Sequence, residues 1–122
     1  MDLYREEILE HWRNPQNFGE IEGADLMVEQ VNPLCGDQVV FYFKIKEGKI
    51  KKVSFVGGGC AISIAAASML SGAIRGKSVS AISKITGQDV LKLMGGPIAP
   101  ARLKCAFLAL EAIKKLGSSI GE

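Results

Sequence analysis

The chain has 122 residues, 48% of them hydrophobic and 23% charged, with a net charge of +2. That length supports one domain with one modest core. The small charge sits on scattered lysines and argues against nucleic acid as a partner, and no apolar run approaches the roughly 20 residues of a membrane helix. The acidic, amphipathic N-terminus (Asp2, Glu6, Glu7, Glu10) is wrong for a signal or transit peptide, so the expected location is cytoplasmic. An organelle protein with its presequence trimmed would read the same way.

Leu3, Tyr4, Ile8 and Trp12 fall close to helical spacing over residues 3–12, with Asp2 placed to cap the helix and Asn14-Pro15 to end it. A polar loop runs from Gln16 to Gly23. A weak strand is expected from Leu26 to Val31. The next puts Val39, Phe41, Phe43 and Ile45 on one face, and Val40, Tyr42, Lys44 and Lys46 on the other. Glu47-Gly48-Lys49 supplies a turn, and Ile50, Val53, Phe55 and Val56 form the returning strand. Short links between three successive strands favour an antiparallel meander. After Gly57-Gly58-Gly59 the alanine-rich segment Cys60–Ile74 reads as a helix closed by Gly76. Thr86 to Asp89 resembles a capping box ahead of a short helix, Val90–Met94. Pro100 starts a last helix with Leu103, Phe107, Leu110 and Ile113 on one stripe. The reading is a single compact α+β domain over residues 1–122, strands early and helices late.

Three cysteines cannot close a disulfide framework, and 24 and then 44 residues separate them, unlike the CxxC knuckle of a zinc ribbon. Their settings say more than their spacing. Cys35 lies in the turn-forming run Asn32-Pro33-Leu34-Cys35-Gly36-Asp37, with Asp37 near enough for thiolate and carboxylate to reach one ion. Cys60 opens a helix after three glycines, where free N–H groups and the helix dipole favour a thiolate. Cys105 falls in the first turns of the last helix. All three thus sit at element ends, where sites are usually built.

Plainer readings stand beside these. Cys60 and Cys105 are also small enough to be core residues, and Asp37 suits a strand-end hydrogen bond. His11, the only histidine, reads as a packing or capping residue near Asn14-Pro15. Lys104 reads as a solvated helix residue whose ammonium would favour a thiolate at Cys105. The glycine run lacks a following Gly-Lys-Ser/Thr, so it is not a phosphate loop.

Taken together, Tyr4, Ile8, His11, Asn14-Pro15, Asn17 and Gly19, then Asn-Pro-Leu-Cys-Gly-Asp at 32–37, Gly-Gly-Gly-Cys-Ala-Ile-Ser at 57–63 and Arg-Leu-Lys-Cys-Ala at 102–106, form a pattern over essentially the whole chain. The chain resembles the iron–sulfur cluster assembly scaffolds of the IscU type, found also as the N-terminal domain of NifU and as the related SufU. The resemblance implies a small antiparallel sheet packed with helices, and three cysteines gathered at one exposed end. It implies a cysteine desulfurase partner that delivers sulfur as a persulfide to Cys105. It implies a labile [2Fe–2S] cluster on Cys35, Cys60, Cys105 and a fourth ligand, passed on to apo acceptor proteins. Zinc or iron is expected in the site as isolated.

Two departures shape the expectation. IscU has histidine before its third cysteine; Lys104 stands there, as in SufU, which makes Asp37 the expected fourth ligand. The Leu-Pro-Pro-Val-Lys segment of IscU is Ile98-Ala99-Pro100-Ala101-Arg102, which argues against recognition by a dedicated Hsp70-type chaperone. A second copy of the chain could displace Asp37 and share the cluster as a homodimer. The leading expectation is an assembly scaffold rather than an enzyme. Next come a zinc-bound sulfur acceptor that stimulates a desulfurase, and then a zinc-stabilised interaction module.

Overall fold

The computed structural model describes residues 5–34 and 36–119. Asp2, Leu3, Tyr4 and Cys35 lie outside the described residues. The elements run α1 (Glu6–Arg13), β1 (Leu26–Asn32), β2 (Asp37–Lys46), β3 (Lys49–Gly58), α2 (Ala61–Ile74), α3 (Val79–Ile82), α4 (Gly87–Leu93), a 3₁₀ turn (Pro100–Arg102) and α5 (Leu103–Ser119).

The three strands form an antiparallel sheet in the order β1-β2-β3. Period-2 alternation puts Val39, Phe41 and Phe43 on the helix-facing side, all buried. Register continues that face across the sheet: Val28 opposes Phe41, which opposes Phe55, and Phe43 opposes Val53. Phe41 lies 6.1 Å from Phe43 and 5.7 Å from Phe55 between ring centroids. The β2–β3 link is tighter than the sequence suggested. Lys46 pairs with Lys49, leaving a two-residue turn at Glu47 and Gly48. Both have positive φ, 53° and 74°, the twist that matches a tight hairpin.

α2 is the central helix. Every residue from Ile62 to Ser71 is buried, and α1, α4, α5 and β3 pack around it. A helix apolar on all sides has no amphipathic stripe to fix its rotation. Its serines supply that information. The Ser68 hydroxyl lies 2.7 Å from His11 Nδ1 and accepts from the Gln16 backbone N–H at 2.8 Å. Asn17 Nδ2 donates to Ser71 Oγ at 3.0 Å, and Ser71 Oγ donates to the Ser68 carbonyl at 2.7 Å. These bonds stitch α1 and the loop after it to α2.

Several sequence expectations need correction. Arg5 holds the N-cap position of α1, which starts at Glu6; the expected cap, Asp2, lies outside the described residues. Ile8 is buried, whereas Trp12 is 44% exposed on the outer side of the helix. α3 was not foreseen; four residues are too few for a periodic signal, although Ser78 caps it by accepting from the Ala81 N–H. The Thr86–Asp89 capping box is present, and it opens α4 at Gly87 rather than Val90. Pro100 starts a 3₁₀ turn, with α5 following at Leu103. Leu103 and Phe107 are only half-buried; Leu108, Ala109, Ala112 and Leu116 join Leu110 and Ile113 in the core. Among the described residues, no helix is long and apolar enough to cross a membrane.

Phe41 is fully buried at the centre of the sheet. Phe41→Ala should therefore cost about 3–5 kcal/mol of stability, measured as a drop in the urea midpoint with an unchanged slope.

Candidate metal centre

The centre is built where β2 begins and α2 and α5 begin. Asn32 and Asp37 face each other across the β1–β2 turn. The turn is held by Gly36 N–H donating to the Asn32 carbonyl at 2.8 Å and by Leu34 N–H donating to Asn32 Oδ1 at 3.1 Å. Gly36 has φ of +79°, which a residue without a Cβ adopts readily. Asp37, the first residue of β2, is 3% exposed. Its Oδ1 accepts from the Cys60 backbone N–H at 3.1 Å, and its Oδ2 accepts from Ser63 Oγ at 2.5 Å. The strand-end carboxylate thus satisfies the N-terminus of α2, where backbone donors have no helical partner.

This close approach explains two of the three glycines. A Cβ on Gly59 (φ +129°) would lie 2.6 Å from Asp37 Cγ and 2.9 Å from Asp37 Cα. A Cβ on Gly57 would lie 2.6 Å from the Gln38 carbonyl oxygen, whereas Gly58 has open space beside it.

Cys60 holds the N-cap position of α2 and is half-buried; its Sγ lies 3.6 Å from Ser63 Oγ. Cys105, the third residue of α5, is buried within the core cluster. One ligating atom each from Asp37, Cys60 and Cys105 lies within 4.8 Å of the others. Two soft thiols and one hard carboxylate suit zinc or an iron–sulfur unit. Cys35, the fourth member expected from the sequence, lies outside the described residues.

Electrostatics separate the members. Burial alone would raise the Asp37 pKa, but hydrogen bonds from the Ser63 hydroxyl, the Cys105 thiol, and the Cys60 amide and thiol outweigh it and hold the carboxyl below its ordinary value. Cys105 goes the other way. Burial first, then the Cys60 thiol and the Asp37 carboxylate, push its thiol up to about 12. The expected activation by Lys104 is not what the fold builds, because that residue is exposed while Cys105 is sunk beside a carboxylate.

His11 stands apart from this group, bonded to Ser68. The sequence reading missed Ser63, although a polar residue one turn into an apolar helix, three positions after Cys60, was a visible signal. It also missed a cleft of about 430 Å³ beside Cys60, lined by Leu9, Trp12, Gly59, Cys60, Ala61 and Arg102.

The molecule is therefore a small α+β domain in which the start of the central strand and two helix starts converge on a thiol–carboxylate group. The chain belongs to the NifU-like N-terminal domain family, which it matches over residues 3–118. It is 34% identical over 113 residues to "Iron-sulfur cluster assembly scaffold protein IscU 1" of Archaeoglobus fulgidus, covering 93% of this chain and 73% of that one. It is 35% identical over 130 residues to "Zinc-dependent sulfurtransferase SufU" of Bacillus subtilis, covering 93% and 88%. A crystal structure of a candidate iron–sulfur cluster assembly scaffold protein for the SUF system, from Fervidobacterium islandicum, superposes with a TM-score of 0.78 at 27% identity, covering 92% and 94%. The N-terminal part of a NifU-like protein from Brucella abortus shares the fold, with a TM-score of 0.75 at 21% identity over 93% and 90%.

Two outcomes follow from the geometry. Gly59→Ala should cost on the order of 1–3 kcal/mol in urea unfolding, and Gly58→Ala less than about 1. In the metal-free protein at neutral pH, iodoacetamide should modify Cys60 well before Cys105, because Cys105 is 6% exposed and held protonated; peptide mass mapping reads the order.

Proposed function

We propose that this chain is a scaffold for iron–sulfur cluster assembly, with Cys35, Asp37, Cys60 and Cys105 as the ligand set. Sulfur comes from a cysteine desulfurase. The Cys105 thiolate attacks the outer sulfur of the partner's persulfide, a new S–S bond forms on Cys105, and the partner's thiol leaves. With iron, and with two electrons per sulfur from an external reductant that cleaves the Cys105 S–S bond and frees sulfide, this sulfur builds a labile [2Fe–2S] cluster that is handed to an apo acceptor protein. The chain acts stoichiometrically, as a carrier rather than a turnover catalyst.

The observation that carries this reading is the convergence of two thiols and a carboxylate from three separate elements within 4.8 Å. A hard oxygen among soft sulfurs makes one position exchangeable, which suits delivery better than storage. The names borne by the relatives point the same way. The Cys105 proton must leave before the thiol can attack or ligate, and a bound metal or the partner's base has to remove it.

A second reading is that the chain is a zinc-bound sulfur acceptor for the desulfurase and builds no cluster. Lys104 favours it, as does likeness to the sulfurtransferase SufU. Transfer to an apo-ferredoxin separates the two: persulfide acceptance without any transfer supports the second.

Anaerobic reconstitution with iron, sulfide and reductant should give a chromophore that air bleaches. Asp37→Ala should slow its loss about tenfold, ~1.4 kcal/mol on the barrier. If that variant holds no cluster while the wild type does, Asp37 is a required ligand and not the labile one. Cys105→Ser should abolish persulfide acceptance, read by mass spectrometry of the chain after incubation with the desulfurase and cysteine.

A further inference from the structure

Ser63 touches every described member of the centre. Its hydroxyl donates to Asp37 Oδ2 at 2.5 Å, lies 3.6 Å from Cys60 Sγ, and reaches the Cys105 carbonyl oxygen at 3.4 Å. It is 4% exposed. One hydroxyl proton therefore has a strong acceptor in the carboxylate and a weaker one already in range. With Oδ1 tied to the Cys60 N–H and Oδ2 tied to Ser63, the plane of the carboxylate is fixed at both oxygens. A ligating carboxylate left to rotate pays to be ordered when metal arrives; one held by outer hydrogen bonds does not.

We propose that Ser63 is a positioning residue of the metal centre: its hydroxyl holds the Asp37 carboxylate toward the Cys60 and Cys105 thiols, and when the carboxylate is displaced the same proton turns to the Cys105 carbonyl. The second acceptor matters because a buried hydroxyl stranded without a partner would penalise release of Asp37. Ser63 thus favours the ligating pose without making it irreversible. The inference rests on the ligand set proposed above, and it adds to that set a residue that never touches the metal.

The test is zinc affinity, measured by competition against a chromophoric chelator, for the full chain and for Ser63→Ala, Ser63→Thr, Asp37→Ala and the double variant Ser63→Ala/Asp37→Ala. Ser63→Ala should weaken zinc binding roughly 10- to 100-fold, the usual effect of losing an outer-shell partner, and Ser63→Thr, which keeps the hydroxyl, should restore most of it. In the Asp37→Ala background, Ser63→Ala should have no further effect, a non-additivity that a merely structural serine would not produce. The inference is overturned if Ser63→Ala binds zinc within about twofold of wild type, or if it weakens binding equally in both backgrounds. A wild-type chain that binds no zinc, and builds no cluster, would sink the ligand set itself and this inference with it.

Discussion

The fold turns on one polar contact between its two halves. Asp37 begins the second strand, Cys60 and Ser63 begin the central helix, and the carboxylate accepts from both. A buried carboxylate is costly unless its oxygens are satisfied, and unpaired N–H groups at a buried helix start are costly too. Here each pays for the other. The contact demands an approach so close that position 59 has no room for a Cβ. The same contact draws the Cys60 thiol to the carboxylate, and Cys105 is brought in from the start of α5. The centre is a consequence of how the sheet and the helix are joined, not an ornament placed on a finished scaffold.

The rest of the structure holds that junction in register. α2 is buried on all sides and would slide or rotate freely if hydrophobic contact alone positioned it. Ser68 and Ser71 prevent this by bonding to His11, Gln16 and Asn17. On the sheet side, the Phe41–Phe55 pairing fixes which face of β2 and β3 meets the helix, since a one-residue slip would turn those rings to solvent. Two serines about two and three turns from Cys60 and a row of aromatics across the sheet thus set where Asp37 and Cys60 meet.

Most of this was legible in the sequence. Strand alternation, the capping box at Thr86 and the helix after the glycine run all appear where expected, because each depends on neighbours within a few residues. Of the residues expected at one centre, Asp37, Cys60 and Cys105 lie together, and Cys35 lies outside the described residues. What local pattern could not give was burial. From the sequence Cys105 could be a ligand at an element end or a small core residue; the packing of α5 against α2 and the sheet places it in the core. That placement reversed the electrostatic expectation, since Lys104 points to solvent while burial and Asp37 dominate. Trp12 failed in the opposite sense: helical spacing offered it to the core, but α1 is too short and too peripheral to bury two successive turns. Ser63 is legible in the sequence as a polar residue one turn into an apolar helix, but only the tertiary fold sets it against a carboxylate 26 positions earlier.

The opposed shifts at Asp37 and Cys105 bear on how such a centre would let go of what it holds. Metal binding to a thiol displaces a proton, so a thiol that keeps its proton until about 12 subtracts from affinity at neutral pH. The carboxylate needs no deprotonation, and its two hydrogen-bond partners satisfy it when the centre is empty and share its oxygens with a metal when it is filled. Neither group is a poor ligand. Each has a favourable state without metal: a protonated thiol donating to a carboxylate, and a carboxylate satisfied by a helix start. A rigid cage of ionised thiolates has no such state and would repel itself when empty. A centre whose empty form is stable as it stands can be filled and emptied without the domain unfolding, and that property, more than the identity of the donor atoms, suits a protein that passes its cargo on.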